Sequence, residues 1–253
     1  QQKRVRIEGE VQRPGDYVLP PATTLAQAIQ AAGGLTGAAY VFGTEFSRES
    51  VRQTQQDNYD RALRDLEIEM AKNQAGRRAT NAEETAALTA SASSSSRLID
   101  RLRVVRPSGR VVLELAPTAQ SLPDLPLEDG DRINVPARGT SVGVFGSVFN
   151  VGSFLFDANK TVDDYLLQAG GPTRGADKES IFLIRANGAV VSARQSGGLF
   201  SSGNFGGVRA LPGDTLYVPE EMNKSTATQN AKDWTQILYQ FGLGMAGLKS
   251  LGL

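Results

Sequence analysis

The side chains able to do chemistry in this chain are carboxylates, hydroxyls and basic groups, because histidine and cysteine are both absent. Their absence removes Cys/His metal sites, thiol nucleophiles, disulfides and imidazole acid–base catalysis together. Carboxylate pairs are what is left, and two places invite that reading: Asp129 with Asp131, and Asp163 with Asp164. Each has a structural explanation. Asp163 and Asp164 fall in the first turn of an expected helix, where negative charge complements the helix dipole. Asp131 and Asp214 belong to turns, Asp129-Gly130-Asp131 and Pro212-Gly213-Asp214. A glycine-rich stretch from Ser196 to Gly207 lacks the lysine and helix-opening spacing of a phosphate-cradling loop and reads as a flexible loop. The expectation is a protein that is not an enzyme, with no catalytic, cofactor-binding or metal-binding residues.

The elements that carry these groups are written twice. Val5 to Ala39 aligns with Val142 to Ala176 at an offset of 137 residues without a gap, and 10 of the 35 positions are identical. The expected turn glycines are Gly9, Gly15, Gly33 and Gly34 in the first copy and Gly146, Gly152, Gly170 and Gly171 in the second. Glycine is required where the backbone needs positive φ or a close approach that a Cβ would block. The ends match too: Leu127 to Pro136 lines up with Ala210 to Pro219, each a turn feeding a short strand stopped by proline. Thr24 and Thr161 cap short helices ended by Gly33-Gly34 and Gly170-Gly171. Arg103 to Leu115 and Ile181 to Ala193 read as hairpins turning at Pro107-Ser108-Gly109 and Asn187-Gly188. The class is α+β: two tandem domains, each a helix covering one face of a mixed sheet.

The first copy holds extra sequence over about residues 48–102. Tyr59, Ala62, Leu63, Leu66 and Met70 form one helical stripe, and an alanine-rich second helix follows, so a helical hairpin is expected there. Its 12 basic and 9 acidic residues between Arg48 and Arg110 read as a solvated surface. Net charge over the chain is +0, which gives no reason to expect nucleic acid as a partner. The expected boundaries are 1–137 and 138–220 for the two domains, 221–232 for a linker and 233–253 for a last helix. The chain opens at Gln1 inside a strand pattern, with no leader, and reads as a fragment or processed form.

That last helix is amphipathic. Trp234, Ile237, Leu238, Phe241, Met245 and Leu248 share an apolar face; Thr235, Gln236, Gln240, Gly247 and Ser250 lie on the other. Its 21 residues would span about 31 Å, close to the hydrocarbon thickness of a bilayer. Two readings stand side by side. One is a ring of such helices with the apolar face toward lipid and the polar face toward a lumen or a neighbouring helix. The other is a helix docked on protein.

The head pattern, a hydrophobic residue, then Gly-x-Val-x-x-x-Gly, Thr-Leu or Thr-Val, and Ala-Gly-Gly, resembles the SLBB module. With the paired tails and the last helix, the chain resembles the outer-membrane polysaccharide export family of capsule translocon proteins. The resemblance implies β-grasp SLBB domains and a homo-oligomeric ring in the periplasm of a Gram-negative bacterium, anchored in its outer membrane. It implies a conduit for capsule or exopolysaccharide, supplied by an inner-membrane synthesis and export complex. The helical insertion lies outside the basic SLBB pattern. A competing expectation is a soluble periplasmic module that holds a ligand or glycan between paired domains, with Phe145, Phe149 and Phe154 as stacking candidates. Strand alternation assigns at least two of these to the core.

Overall fold

The computed structural model describes residues 2–76, 79–193 and 205–220. It contains two five-stranded sheets of identical order. In the first, β1 (Lys3–Gly9), β2 (Gly15–Leu19), β3 (Glu45–Ser47), β4 (Arg110–Val111) and β5 (Arg132–Val135) lie in the order β2-β1-β5-β3-β4. In the second, β6 (Ser141–Gly146), β7 (Gly152–Leu155), β8 (Phe182–Ile184), β9 (Val190–Ser192) and β10 (Thr215–Val218) repeat it as β7-β6-β10-β8-β9. In each, the first and last strands of the copy pair in parallel at the centre and every other pairing is antiparallel. The α+β class read from the sequence holds.

A parallel central pair needs a crossover, and the short helix of each copy lies along it. In α1 (Leu25–Ala31), Thr24 accepts from Gln27 N while the Gln27 side chain accepts from Thr24 N, a complete capping box. Thr161 and Asp164 do the same for α4 (Val162–Gln168). Leu25, Ala28 and Ile29 bury against Val5, Ile7, Ile133 and Val135. Val162, Tyr165 and Ala169 bury against Val142, Val144, Leu216 and Val218. The crossing is closest where β1 meets the end of β5. A Cβ on Gly9 (φ 84°) would lie 2.1 Å from the Val135 carbonyl oxygen, and one on Gly146 (φ 90°) would lie 2.1 Å from that of Val218. Gly152 opens β7 without positive φ.

The sheets differ on the face away from the helix. On the first it carries Arg6, paired with Glu8 at 2.8 Å, and Glu45, 3.8 Å from Arg110. On the second, Phe182, Ile184, Thr215 and Tyr217 are buried there, so β8 and β10 are buried on both faces. Phe182 and Tyr217 pack ring to ring at 5.1 Å.

One expected hairpin is corrected. Arg103 to Leu115 does not fold on itself: α3 runs to Val104, and β4 pairs with β3, Phe46 opposite Val111. The arms of the hairpin are therefore β3 and β4, the counterparts of β8 and β9. The second copy joins its arms through the tight turn at Asn187-Gly188, whereas the first routes α2 (Glu49–Ala75) and α3 (Ala82–Val104) between them. Arg48 N donates to Gly109 O at 3.0 Å and closes the base of this widened turn.

Gln1–Val51 with Gly109–Glu221 form one compact unit, and Arg52–Ser108 belong to a second. In the second unit the stripe Tyr59, Leu63, Leu66 and Met70 is buried, as are Ile99 and Leu102 on α3. The Tyr59 hydroxyl donates to Leu102 O at 2.7 Å, and Arg103 pairs with Glu67 at 2.8 Å. Burial pushes the Tyr59 hydroxyl up to about 12.

Candidate functional site

Three sets of residues carry the candidate chemistry, and the structure treats them differently. The acids are structural. Asp131 is fully buried and meets Arg48 through two nitrogens, Nε to Oδ1 at 3.0 Å and Nη2 to Oδ2 at 2.9 Å, with Glu128 N donating to Oδ2 at 2.7 Å. The carboxylate in turn raises the Arg48 pKa. Asp214 repeats the device with Arg185, which donates from Nη1 to Oδ2 at 2.5 Å, and with Leu211 N at 2.7 Å. Asp163 and Asp164 sit in the first turn of α4, and Asp129 Oδ1 accepts from Arg4 N at 2.7 Å. Among the described residues no group of three or more His, Cys, Asp or Glu side chains is placed to hold a metal ion.

The aromatic candidates are not brought together. Phe154 packs on the second core, while the ring of the half-buried Phe145 lies over Gly143, 2.6 Å from where a Cβ would stand. Phe149 is 72% exposed and shares that exposure with Val151, Leu155 and Leu167. At the corresponding positions the first copy has Gln12, Pro14, Val18 and Gln30, so exposed apolar side chains are more numerous at these positions of the second domain.

The third set, the last helix with Trp234, Ile237, Leu238, Phe241, Met245, Leu248, Thr235, Gln236, Gln240, Gly247 and Ser250, lies outside the described residues. No helix among the described residues is long and apolar enough to cross a membrane.

The seam between the two sheets, inside one compact unit, was not anticipated. From the first domain come Tyr40, Phe42, Gly43, Arg110 and Pro136, with Arg138 at the boundary; from the second come Ala186, Gly188, Gly213 and Asp214. A Cβ on Gly43 would lie 2.9 Å from Tyr40 Cδ1, 3.0 Å from Pro136 Cγ and 3.5 Å from Ala186 Cβ, so backbone and side chains of both domains converge there. Arg110 Nη2 donates to Ala186 O at 2.8 Å, and a Cβ on Gly188 would lie 2.9 Å from the Arg110 guanidinium. Tyr40 is buried between the Phe42 ring, 5.8 Å away, and the Arg138 guanidinium, 5.9 Å away. Burial raises its hydroxyl pKa, and the charge of Asp214 raises it further. Burial also pushes the Asp214 carboxyl up to about 6, against the opposing pull of Arg185.

Signals for both features were present in the sequence. Arg48 and Arg185 stand at the same 137-residue offset as the repeats, and Asp131 and Asp214 share the matched tails. Extending the alignment past Ala39 sets Tyr40 and Phe42 against Asp177 and Glu179. An apolar pair at a turn that is acidic in the other copy marks a face buried in one domain only.

The repeated sheet with its capped helix defines the class. Two segments, residues 4–47 and 141–193, match the family model of the SLBB domain, and they contain the head of each copy. The chain is also 27% identical, over 249 residues or 98% of its length, to two curated proteins from Escherichia coli, each named polysialic acid transport protein KpsD. These findings bear out the resemblance to the KpsD type of outer-membrane polysaccharide export protein. The chain spans 41% of the length of those relatives, and their name is that of a transport protein, not of an enzyme.

Proposed function

We propose that this chain is part of a capsule or exopolysaccharide export component in the periplasm and outer membrane of a Gram-negative bacterium. In this reading the two SLBB domains, in β-grasp form and bounded near residues 1–137 and 138–220, build an oligomeric conduit. The chain is not an enzyme. The observation that carries the reading is similarity across 98% of the chain, through both SLBB copies, to polysaccharide transport proteins. Polysaccharide is the substrate, handed on by an inner-membrane synthesis and export complex. The segment 233–253 crosses the outer membrane in a ring of identical helices, with Trp234, Ile237, Leu238, Phe241, Met245 and Leu248 toward lipid.

The test is the mass of the purified protein in detergent, with and without residues 233–253. A large assembly that dissociates, or no longer needs detergent, after the deletion supports the conduit. A monomer in both cases overturns it. A second reading, a glycan-binding module, draws on the exposure of Phe149, an aromatic face open to stacking. It calls for saturable binding of capsule oligosaccharide by a monomer that keeps its affinity without the tail.

A further inference from the structure

The open face of the first sheet, turned away from α1, gathers arginines at one corner. Val5, Ile7 and Ile133 point into the core, so by alternation Arg4, Arg6 and Arg132 stand on the opposite face, and all three are exposed. Arg6 and Arg132 are direct partners across the parallel pair of β1 and β5, on strands about 4.8 Å apart. Arg4 precedes Arg6 by two residues, about 6.6 Å along β1. Like charges directly opposite one another on a sheet destabilise it. None of the three packs in the core, so packing does not call for this crowding.

The acids around this corner leave most of its donors open. Glu8 takes Arg6 through Nε at 2.8 Å, and the nearest acid to its Nη groups is Asp16, 4.0 Å from Nη1. The side chains of Arg4 and Arg132 have no hydrogen bond or ion pair among the described residues. Glu45 stands in the neighbouring row and faces Arg110 at 3.8 Å, and Asp129 Oδ1 is taken by the backbone N of Arg4. The second copy shows that the repeat itself does not require these charges. Ser141, Gly143 and Thr215 occupy the matching positions, and Gly143 and Thr215 are partners across the equivalent parallel pair.

We infer that this corner of the first sheet binds an acidic polysaccharide, with Arg4, Arg6 and Arg132 taking its anionic groups and Glu8 holding Arg6 in place. A guanidinium presents paired N–H donors that match the two oxygens of a carboxylate. Three of them on two adjacent strands suit a chain that carries its charges in series, and an open sheet face lets a polymer lie across it. Ser47, the partner of Arg132 on β3, adds a hydroxyl to the same row. The geometry asks for an anion; that a sugar chain carries it rests on the export reading above. Guanidinium groups keep their charge at any physiological pH, so this binding weakens with salt and not with pH.

The test is titration of the full chain into fluorescein-labelled oligogalacturonate, a carboxylated sugar chain, at low ionic strength, with labelled dextran as the uncharged comparison. The expected result is saturable binding of oligogalacturonate and none of dextran. Arg4→Gln and Arg132→Gln are each expected to weaken binding by roughly fivefold, the upper range for an exposed ion pair. Both side chains are exposed and unpaired among the described residues, so the fold is expected to survive either change. Arg174→Gln removes the same charge from an exposed position in the second domain and is expected to change nothing. No binding by the parent overturns the site, as does dextran binding equally well. An equal loss in all three variants overturns it too, because net charge alone then explains the affinity. The mass of the assembly in detergent is read without any sugar, so a failed site and a failed conduit are told apart.

Discussion

Arg48 and Asp131 are joined by two hydrogen bonds, of 3.0 and 2.9 Å, around a carboxylate that has no exposed surface. Arg185 and Asp214 occupy the same places in the second domain with one such bond, of 2.5 Å. Each pair ties the end of the third strand of its copy to the turn before the last strand, the two segments whose pairing completes the sheet. A buried ion pair adds little over an apolar pair of equal shape, but removing one partner strands the other charge. Here Arg48 keeps Glu128 at 3.0 Å when Asp131 is removed, while Arg48 Nε and Glu128 N lose their acceptor, so Asp131→Ala is expected to lower stability by about 1–3 kcal/mol, read from the urea midpoint. A loss below about 0.5 kcal/mol would show that Glu128 takes over the whole role.

Gly9 and Gly146 combine positive φ with a carbonyl oxygen 2.1 Å from the Cβ they lack. Alanine at either position has to move backbone at the central parallel pair. Gly146→Ala is expected to cost about 2–4 kcal/mol or to prevent folding. Gly171→Ala, with similar φ but open space around it, is expected to cost about 1–2 kcal/mol. Thermal unfolding of the two side by side separates the clash from the backbone strain.

Tyr59 links α2 to α3 through its hydroxyl, which is buried with the Leu102 carbonyl. Tyr59→Phe keeps the ring and removes one of two hydrogen bonds to that carbonyl, Val105 N still donating to it at 3.2 Å, so a loss of about 0.5–1.5 kcal/mol is expected. Hydrogen exchange on α2 and α3 checks it, with faster exchange expected there than in the sheets.

The pH dependence of stability follows from Asp214. Its pKa in the folded chain, about 6, lies above the ordinary value of 3.8, because burial disfavours the ionised form. The group's contribution to stability is then full below the ordinary value and is lost as pH rises through about 6. The unfolding midpoint of the parent, relative to that of Asp214→Asn, is expected to fall as pH rises from about 4 through about 6 and to level off above. A shift in the parent's favour as pH rises would show that Arg185 outweighs burial.

Phe149 and Leu167 lie on the surface, 72% and 73% exposed. Phe149→Ala is expected to leave stability within about 0.5 kcal/mol. It therefore serves as a clean probe of glycan binding: affinity lost without stability would favour the binding-module reading.

What the sequence determined by itself was the repeat and most of the local elements; the Arg103–Leu115 hairpin was the local reading that failed. The offset of 137 residues identified two domains; alternation in Val5 and Ile7 identified a half-buried strand; Thr24 and Thr161 with their glycine endings bounded the helices. These signals depend on backbone sterics and on periods of two and 3.6 residues, which short windows contain. Only the tertiary structure decided which strand β4 joins, because its partner β3 lies on the far side of α2 and α3, and no local pattern encodes a pairing over that distance. It likewise decided that Asp131 and Asp214 face arginines, and that Tyr40 is buried at a domain seam. Burial at a seam is a property of two surfaces together, and neither surface carries it alone in its sequence.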